Sequence, residues 1–185
     1  MTLRRRTTSI VALVSHRVPL ILFILCGIAG AAERADTIGG LSEIPGAGLH
    51  AEGAQIYECQ PGSAGKLEWQ AREPVATLMD GDNSVGRHYA ALHWASVDPR
   101  TLVWEHKDGS SVKAKIVASA PGQTADDLPW LTLQVVTQLA DGVLYGATNV
   151  QRINTRGGMA GGACNRPGAF RSVPYSADYV FQYGE

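Results

Sequence analysis

The chain has 185 residues, 45% hydrophobic and 18% charged, with 16 basic against 17 acidic side chains. That length supports one domain with a core of its own, needing no metal to hold it together. The even charge balance excludes the strongly basic signature of a nucleic-acid or anionic-membrane binder.

In chain order, Arg4-Arg5-Arg6 and Arg17 precede an apolar run from Val18 to Ile28, and Ala29-Gly30-Ala31 supplies a small-residue cleavage pattern. The run is shorter than the roughly 20 residues of a spanning helix, and His16 and Arg17 block its extension. Residues 1–31 are therefore predicted to be a cleaved signal peptide. The mature chain would start near Ala32, be periplasmic or extracellular, and carry no integral membrane span. A lipoprotein is not expected, because bulky Leu25 precedes Cys26. Removing the leader leaves Cys59 and Cys164, and an oxidising compartment favours a bridge over two unpaired buried thiols. Neither has a Cys or His at ligand spacing, so no metal site is predicted.

Residues 32–53 are small, polar and punctuated, and read as a flexible arm before a single β-domain over 54–185. Gly46-x-Gly48-x-x-Ala51 imitates a dinucleotide fingerprint but lacks the surrounding strand and helix, and no cofactor is predicted. Ala54–Cys59 is a first strand. Lys66–Ala71 alternates, with Leu67, Trp69 and Ala71 inward. Ala76–Met79 and Val85–Ala90 flank a hairpin turn at Asp80-Gly-Asp-Asn83.

Leu102–His106 and Val112–Ala118 form a second hairpin, with Val112, Ala114, Ile116 and Ala118 on one face. Pro121–Pro129 is a loop, and Trp130–Val136 is the most apolar strand, expected to be central. Asp141-Gly142 turns the chain into Val143–Thr155, and Ala177–Tyr183 closes the domain with Tyr179, Phe181 and Tyr183 together. Eight or more short strands joined by such turns predict an all-β fold, an antiparallel sandwich or flattened barrel.

The stretch Thr148–Thr155 conflicts with simple alternation. Period two puts Val150, Arg152 and Asn154 on one side and Asn149, Gln151, Ile153 and Thr155 on the other. Either a bulge intervenes or polar side chains enter the interior and need partners there.

Gln55-Ile-Tyr-Glu-Cys59, Gly86-Arg-His-Tyr-Ala90, Trp104-Glu105 with Asp108-Gly-Ser110, Leu128-Pro-Trp-Leu131, Val150–Thr155 with Gly157-Gly158, and Tyr175–Phe181 follow one another in order. Together these blocks resemble the secreted domain-of-unknown-function family 3455 of bacteria and fungi. The resemblance implies an exported β-rich domain with Cys59 and Cys164 as its cysteine pair, and it implies no known reaction. The family runs almost directly from the His-Tyr-Ala block into the Trp-Glu block, whereas Ala91–Thr101 intervenes here. His93 and Trp94 therefore take no role from the resemblance.

Catalytic templates fail: there is no Gly-x-Ser-x-Gly elbow, His-Glu-x-x-His or Walker loop. Ser110-x-x-Lys113 lies on a strand, where residues three apart diverge. A carboxylate beside an aromatic can have a raised pKa, which makes Glu105 next to Trp104 a candidate. The tryptophans and tyrosines are able to line a sugar or apolar-ligand groove. His88, Trp104, Glu105, Asn149, Gln151 and Arg152 are the candidate binding residues, with no catalytic residue assigned.

Arg152 is expected to be structural, paired inside the protein with Glu58, Glu105 or Asp178, leaving Asn149 and Gln151 for ligand contact. The alternative is that it lines a pocket. The expected function is a non-enzymatic binding module for a small molecule, glycan or envelope component. The rivals are a hydrolase using Glu105 or His88, and a structural or stress-protective envelope protein.

Overall fold

A computed structural model describes residues 46–63, 65–91 and 101–184. The strands are β1 (Gly46–Pro61), β2 (Leu67–Asp80), β3 (Asn83–Ala90), β4 (Thr101–His106), β5 (Ser111–Ala120), β6 (Trp130–Leu139), β7 (Ala147–Gly157) and β8 (Phe170–Tyr183). Each pairs antiparallel with the next, and β8 returns to β1, so one sheet closes on itself as an eight-stranded barrel. Of the two expected architectures the barrel is the one formed. Closure removes the unpaired edges that an open sheet would expose, and it leaves no strand central, Trp130–Leu139 included.

Sheet pleating decides which side chains fill the interior. Leu49, Ala51, Gln55, Tyr57 and Cys59 of β1 are buried at alternate positions, as are Tyr175, Ala177, Tyr179 and Phe181 of β8. Strands long enough to cross the whole barrel keep this order only by inserting bulges. In β2, Tyr57 faces Ala71 but Ile56 faces Glu73, so Arg72 is the extra residue. The inward set therefore changes from Leu67, Trp69 and Ala71 to Pro74, Ala76 and Leu78. The two short strands expected at 66–71 and 76–79 are thus one strand. In β5 a bulge at Val117 turns Ala118 out to an exposed position, away from the face of Val112, Ala114 and Ile116.

The arm expected over 32–53 is corrected where it is described. Gly46–Gly53 forms the first half of β1, paired with β8 from Gly46 and with β2 from His50. Its small residues fit a crowded wall: a Cβ at Gly53 would collide with the Val75 carbonyl and Ala76 of β2. At the other hairpin the sequence reading holds, with Asp80 facing Asn83 across Gly81-Asp82 and Gly81 at φ 55°.

Up-and-down topology sorts the connections. The turns β2–β3, β4–β5 and β6–β7 sit at one end, and β1–β2, β3–β4, β5–β6 and β7–β8 at the other. The first end is sealed. Leu144, from the loop after β6, is fully buried, and the Asp108 carboxylate accepts from Ser110 Oγ (2.6 Å), Ser110 N (2.8 Å) and Val143 N (2.8 Å). These bonds hold the Asp108 carboxyl well below the usual carboxylate range, the Ser110 hydroxyl contributing most. Above the seal, Trp104, Phe181, Tyr179, Leu78 and Leu133 pack as the core. Trp104 meets Tyr179 and Phe181 edge-on at 5.2 and 6.1 Å, a favoured arrangement of ring quadrupoles.

At the second end the β7–β8 loop is tied down by a disulfide between Cys59 and Cys164, Cα–Cα 5.7 Å. The Tyr57 hydroxyl donates to the Gly158 carbonyl at 2.7 Å and reinforces the tie. The β5–β6 loop clasps the same segment: Leu128 N donates to Gly157 O, Met159 N to Asp126 O, and Gly157 N to Asp127 Oδ1. Of the insertion after β3, residues 92–100, His93 and Trp94 included, lie outside the described residues, as does the expected leader.

Candidate functional site

The second end of the barrel is hollow. A cavity of about 560 Å³ opens there, walled by Trp69, Leu102, Ile116, Leu128, Leu131 and Met159. Its polar lining is Gln55, Tyr57, Arg72, Ser119 and Arg152, and among the described lining residues there is no Asp or Glu. Eight strands give a barrel just wide enough either to be filled by its own side chains or to hold one small ligand. Here the aromatic core fills the sealed half, and no described side chain fills the other.

Arg152 is the residue that the wall cannot ignore. Its partner across the sheet is Leu131, inward-facing, and only 5% of the residue is exposed. Nε and Nη2 both donate to one neutral acceptor, the Pro129 carbonyl, at 3.0 and 2.9 Å. The expected carboxylate partner is absent. Glu58 pairs with Arg72, Glu105 with Arg87, and Asp178 with His50. All three lie on the outward face of their strands, where the pleat prevents them from reaching an inward guanidinium. Both alternatives foreseen for this strand are realised in β7. Arg152 enters the interior, and a bulge between Ile153 and Arg156, with Asn154 at φ 50°, then turns Thr155 inward instead of Asn154. The Thr155 hydroxyl donates to Leu128 O at 2.6 Å, fully buried.

Between cavity and core lies a polar layer. His88 is 1% exposed and stacked on Trp104 at 4.5 Å, and its Nδ1 donates to the Val103 carbonyl at 2.8 Å. A carbonyl only accepts, so the neutral ring carries its proton on Nδ1 and leaves Nε2 as a lone-pair acceptor without a partner. Burial lowers the His88 pKa to about 3; the bond to Val103 opposes this and the Arg152 charge adds to it. The Tyr175 and Tyr179 hydroxyls lie close to each other, with Arg152 beside Tyr179. Neither forms a well-aligned hydrogen bond, and burial raises both phenols above their usual value.

The six sequence candidates therefore separate. His88, Trp104 and Arg152 are interior, but only Arg152 lines the cavity; Trp104 is fully buried beneath it. Glu105 faces outward, bound by Arg87 at 2.9 Å and by the Tyr89 hydroxyl at 3.1 Å. Asn149 also faces outward and donates to Thr148 Oγ1 at 3.3 Å. Gln151 is outward-facing yet 4% exposed, with Oε1 unpartnered. Pleating sends Asn149 and Gln151 away from the cavity, so the preference for them over Arg152 as ligand contacts is reversed. Sequence reasoning did not single out Gln55, Tyr57, Leu102, Leu131 or Met159 as site residues. A signal existed in β1, where Gln55 interrupts an otherwise small or apolar inward series running from Leu49 to Cys59.

The family model described as "Protein of unknown function (DUF3455)" matches residues 42–183. No curated protein and no solved structure matches the chain.

Proposed function

The chain belongs to that family of proteins of unknown function, and we propose from its own geometry that it is an exported binding module which takes a small molecule into the barrel mouth. The observation that carries this is the half-empty interior. Its volume of about 560 Å³ falls within the ~300–1,000 Å³ of small-ligand sites, and an apolar wall with a few fixed polar groups is their usual chemistry. The β5–β6 and β7–β8 loops of the rim are pre-formed by the disulfide and their mutual bonds, which lowers the ordering cost that opposes binding.

Glycoside hydrolysis requires two carboxylates facing each other across about 5–9 Å; none lines this cavity among the described residues, which favours binding over hydrolysis. Export is supported by the disulfide, since such bonds persist in oxidising compartments, and by the leader expected over 1–31. Among the described residues no helix is long and apolar enough to cross a membrane. The outward residues of the barrel include Glu52, Arg87, Glu105, Lys113, Lys115 and Asp178 rather than the continuous apolar band of a lipid-facing barrel.

N-phenyl-1-naphthylamine, a neutral probe that brightens in apolar surroundings, tests the reading. It should bind the mature protein saturably at one site. Ala71→Trp, a substitution at an exposed cavity-lining position, should occlude that site without touching the core. Linear, unsaturable fluorescence, or binding indifferent to Ala71→Trp, would refute it.

A further inference from the structure

We infer that the ligand is an amphiphilic organic monoanion, a carboxylate first of all, whose head meets Arg152 and whose apolar body lies against Trp69, Leu102, Ile116 and Leu131. This rests on the cavity reading above and goes beyond it to the class of ligand.

The inference starts from a charge without a counter-charge. Arg152, a residue 5% exposed, has lost most of its hydration, and its neutral neighbours, the Pro129 carbonyl and the Tyr179 hydroxyl, supply no counter-charge. Nη2 and Nε are engaged by Pro129, the neutral Tyr179 hydroxyl lies beside the guanidinium, and the residue lines the cavity. Among the described lining residues the other cation, Arg72, is already matched by Glu58 at 3.4 Å and Glu73 at 3.5 Å. The remaining polar lining groups, from Gln55, Tyr57 and Ser119, are neutral. The cavity therefore holds one unmatched positive charge between low-dielectric walls, which focus its field on whatever enters.

That arrangement selects for one negative charge. A phosphate dianion calls for several cations or a cradle of backbone N–H groups, and here one guanidinium lacks a counter-charge. A carboxylate matches it in charge, size and planarity. The Trp69 indole lines the same cavity and offers a flat apolar face to the body of the ligand. The opposite end of the ligand must be apolar, because Leu102, Ile116 and Leu131 offer it no hydrogen bond. Arg152 thus has two duties: it fixes the rim through Pro129 and presents its charge to the ligand.

Two probes of nearly equal shape separate the charge from the cavity. 1-Anilinonaphthalene-8-sulfonate carries one negative charge; N-phenyl-1-naphthylamine is its uncharged counterpart. The sulfonate should bind the mature protein at least tenfold more tightly than the neutral probe, and decanoate should displace it far better than 1-decanol. Arg152→Met should weaken the sulfonate by tenfold or more and leave the neutral probe within about twofold. Arg152→Gln, whose amide is still able to donate to the Pro129 carbonyl, should do the same and separates loss of charge from loss of the rim bond. Near-ultraviolet circular dichroism confirms that each variant is folded. If the neutral probe binds saturably but the sulfonate gains nothing and ignores both variants, the anion inference falls while the cavity reading stands. If neither probe binds saturably, both fall.

Discussion

His88 offers a quantitative test of how tightly the interior is sealed. Its imidazole is buried against Trp104 and Tyr179, with the Arg152 charge acting on it, and its pKa drops to about 3. In the unfolded chain the same ring titrates near 6.5. Between these values the unfolded state binds a proton that the folded state refuses, so stability declines as the pH falls through that window. At pH 7.5 both states are neutral and the effect is absent. At pH 5.0 the folded ring is still neutral, and the loss is fixed by the unfolded value alone, at about 2 kcal/mol.

His88→Phe removes the titration while keeping a flat ring against the indole. At pH 7.5 it loses the bond to Val103 O and should cost ~1 kcal/mol, partly offset by removing the unpartnered Nε2. Urea midpoints of both proteins at pH 7.5 and 5.0 give the comparison. The gap between variant and wild type should move by about 2 kcal/mol in favour of the variant at pH 5.0, turning a small deficit into an advantage. An equal gap at both pH values would show that the ring ionises freely in the folded state, and the sealed polar layer would then be wrong.

Two further outcomes follow from the two ends of the barrel. Asp108→Ala strands the N–H groups of Ser110 and Val143 and the Ser110 hydroxyl, and should destabilise by ~2–3 kcal/mol at neutral pH. Because the folded carboxyl is held below its unfolded value, that deficit should shrink as acid protonates it, visible in urea midpoints at pH 7 against pH 2.5; a pH-independent deficit would contradict the carboxylate's role. Cys59 and Cys164 are 105 positions apart, so reducing the bridge should cost ~4–5 kcal/mol in the chain-entropy view. Thermal melts with and without reductant measure it, and a melt unchanged after confirmed reduction would refute the contribution.

Much of the fold was readable because barrel walls obey period two. Leu67 and Trp69 turn inward, Val112, Ala114 and Ile116 share a face, and the Asp80–Asn83 hairpin sits where its turn residues put it. What escaped were the changes of phase in β2 and β5. A bulge is one extra residue with no composition of its own, so Arg72 and Val117 look in sequence like ordinary strand members, yet each reverses the face of everything after it. The arm was misread for a related reason: Gly48, Ala51 and Gly53 resemble a loop, although such small residues are what a strand needs where neighbouring backbones crowd it.

The site was legible only as a contradiction. Nothing in the sequence announces a cavity, because emptiness is a property of eight strands taken together. What the sequence carries is an arginine in phase with Val150 and Leu131, a residue type that a filled apolar barrel would reject. Expecting an internal carboxylate was the ordinary resolution, and it failed because Glu58, Glu105 and Asp178 all point outward. With no counter-charge among the described lining residues, replacement by a hydrophobic residue should cost little beyond the bonds to the Pro129 carbonyl, while a retained guanidinium keeps its value for an anion arriving from outside. An interior charge that no carboxylate among the described lining residues neutralises is the strongest reason to look for function in the barrel mouth rather than on its polar exterior.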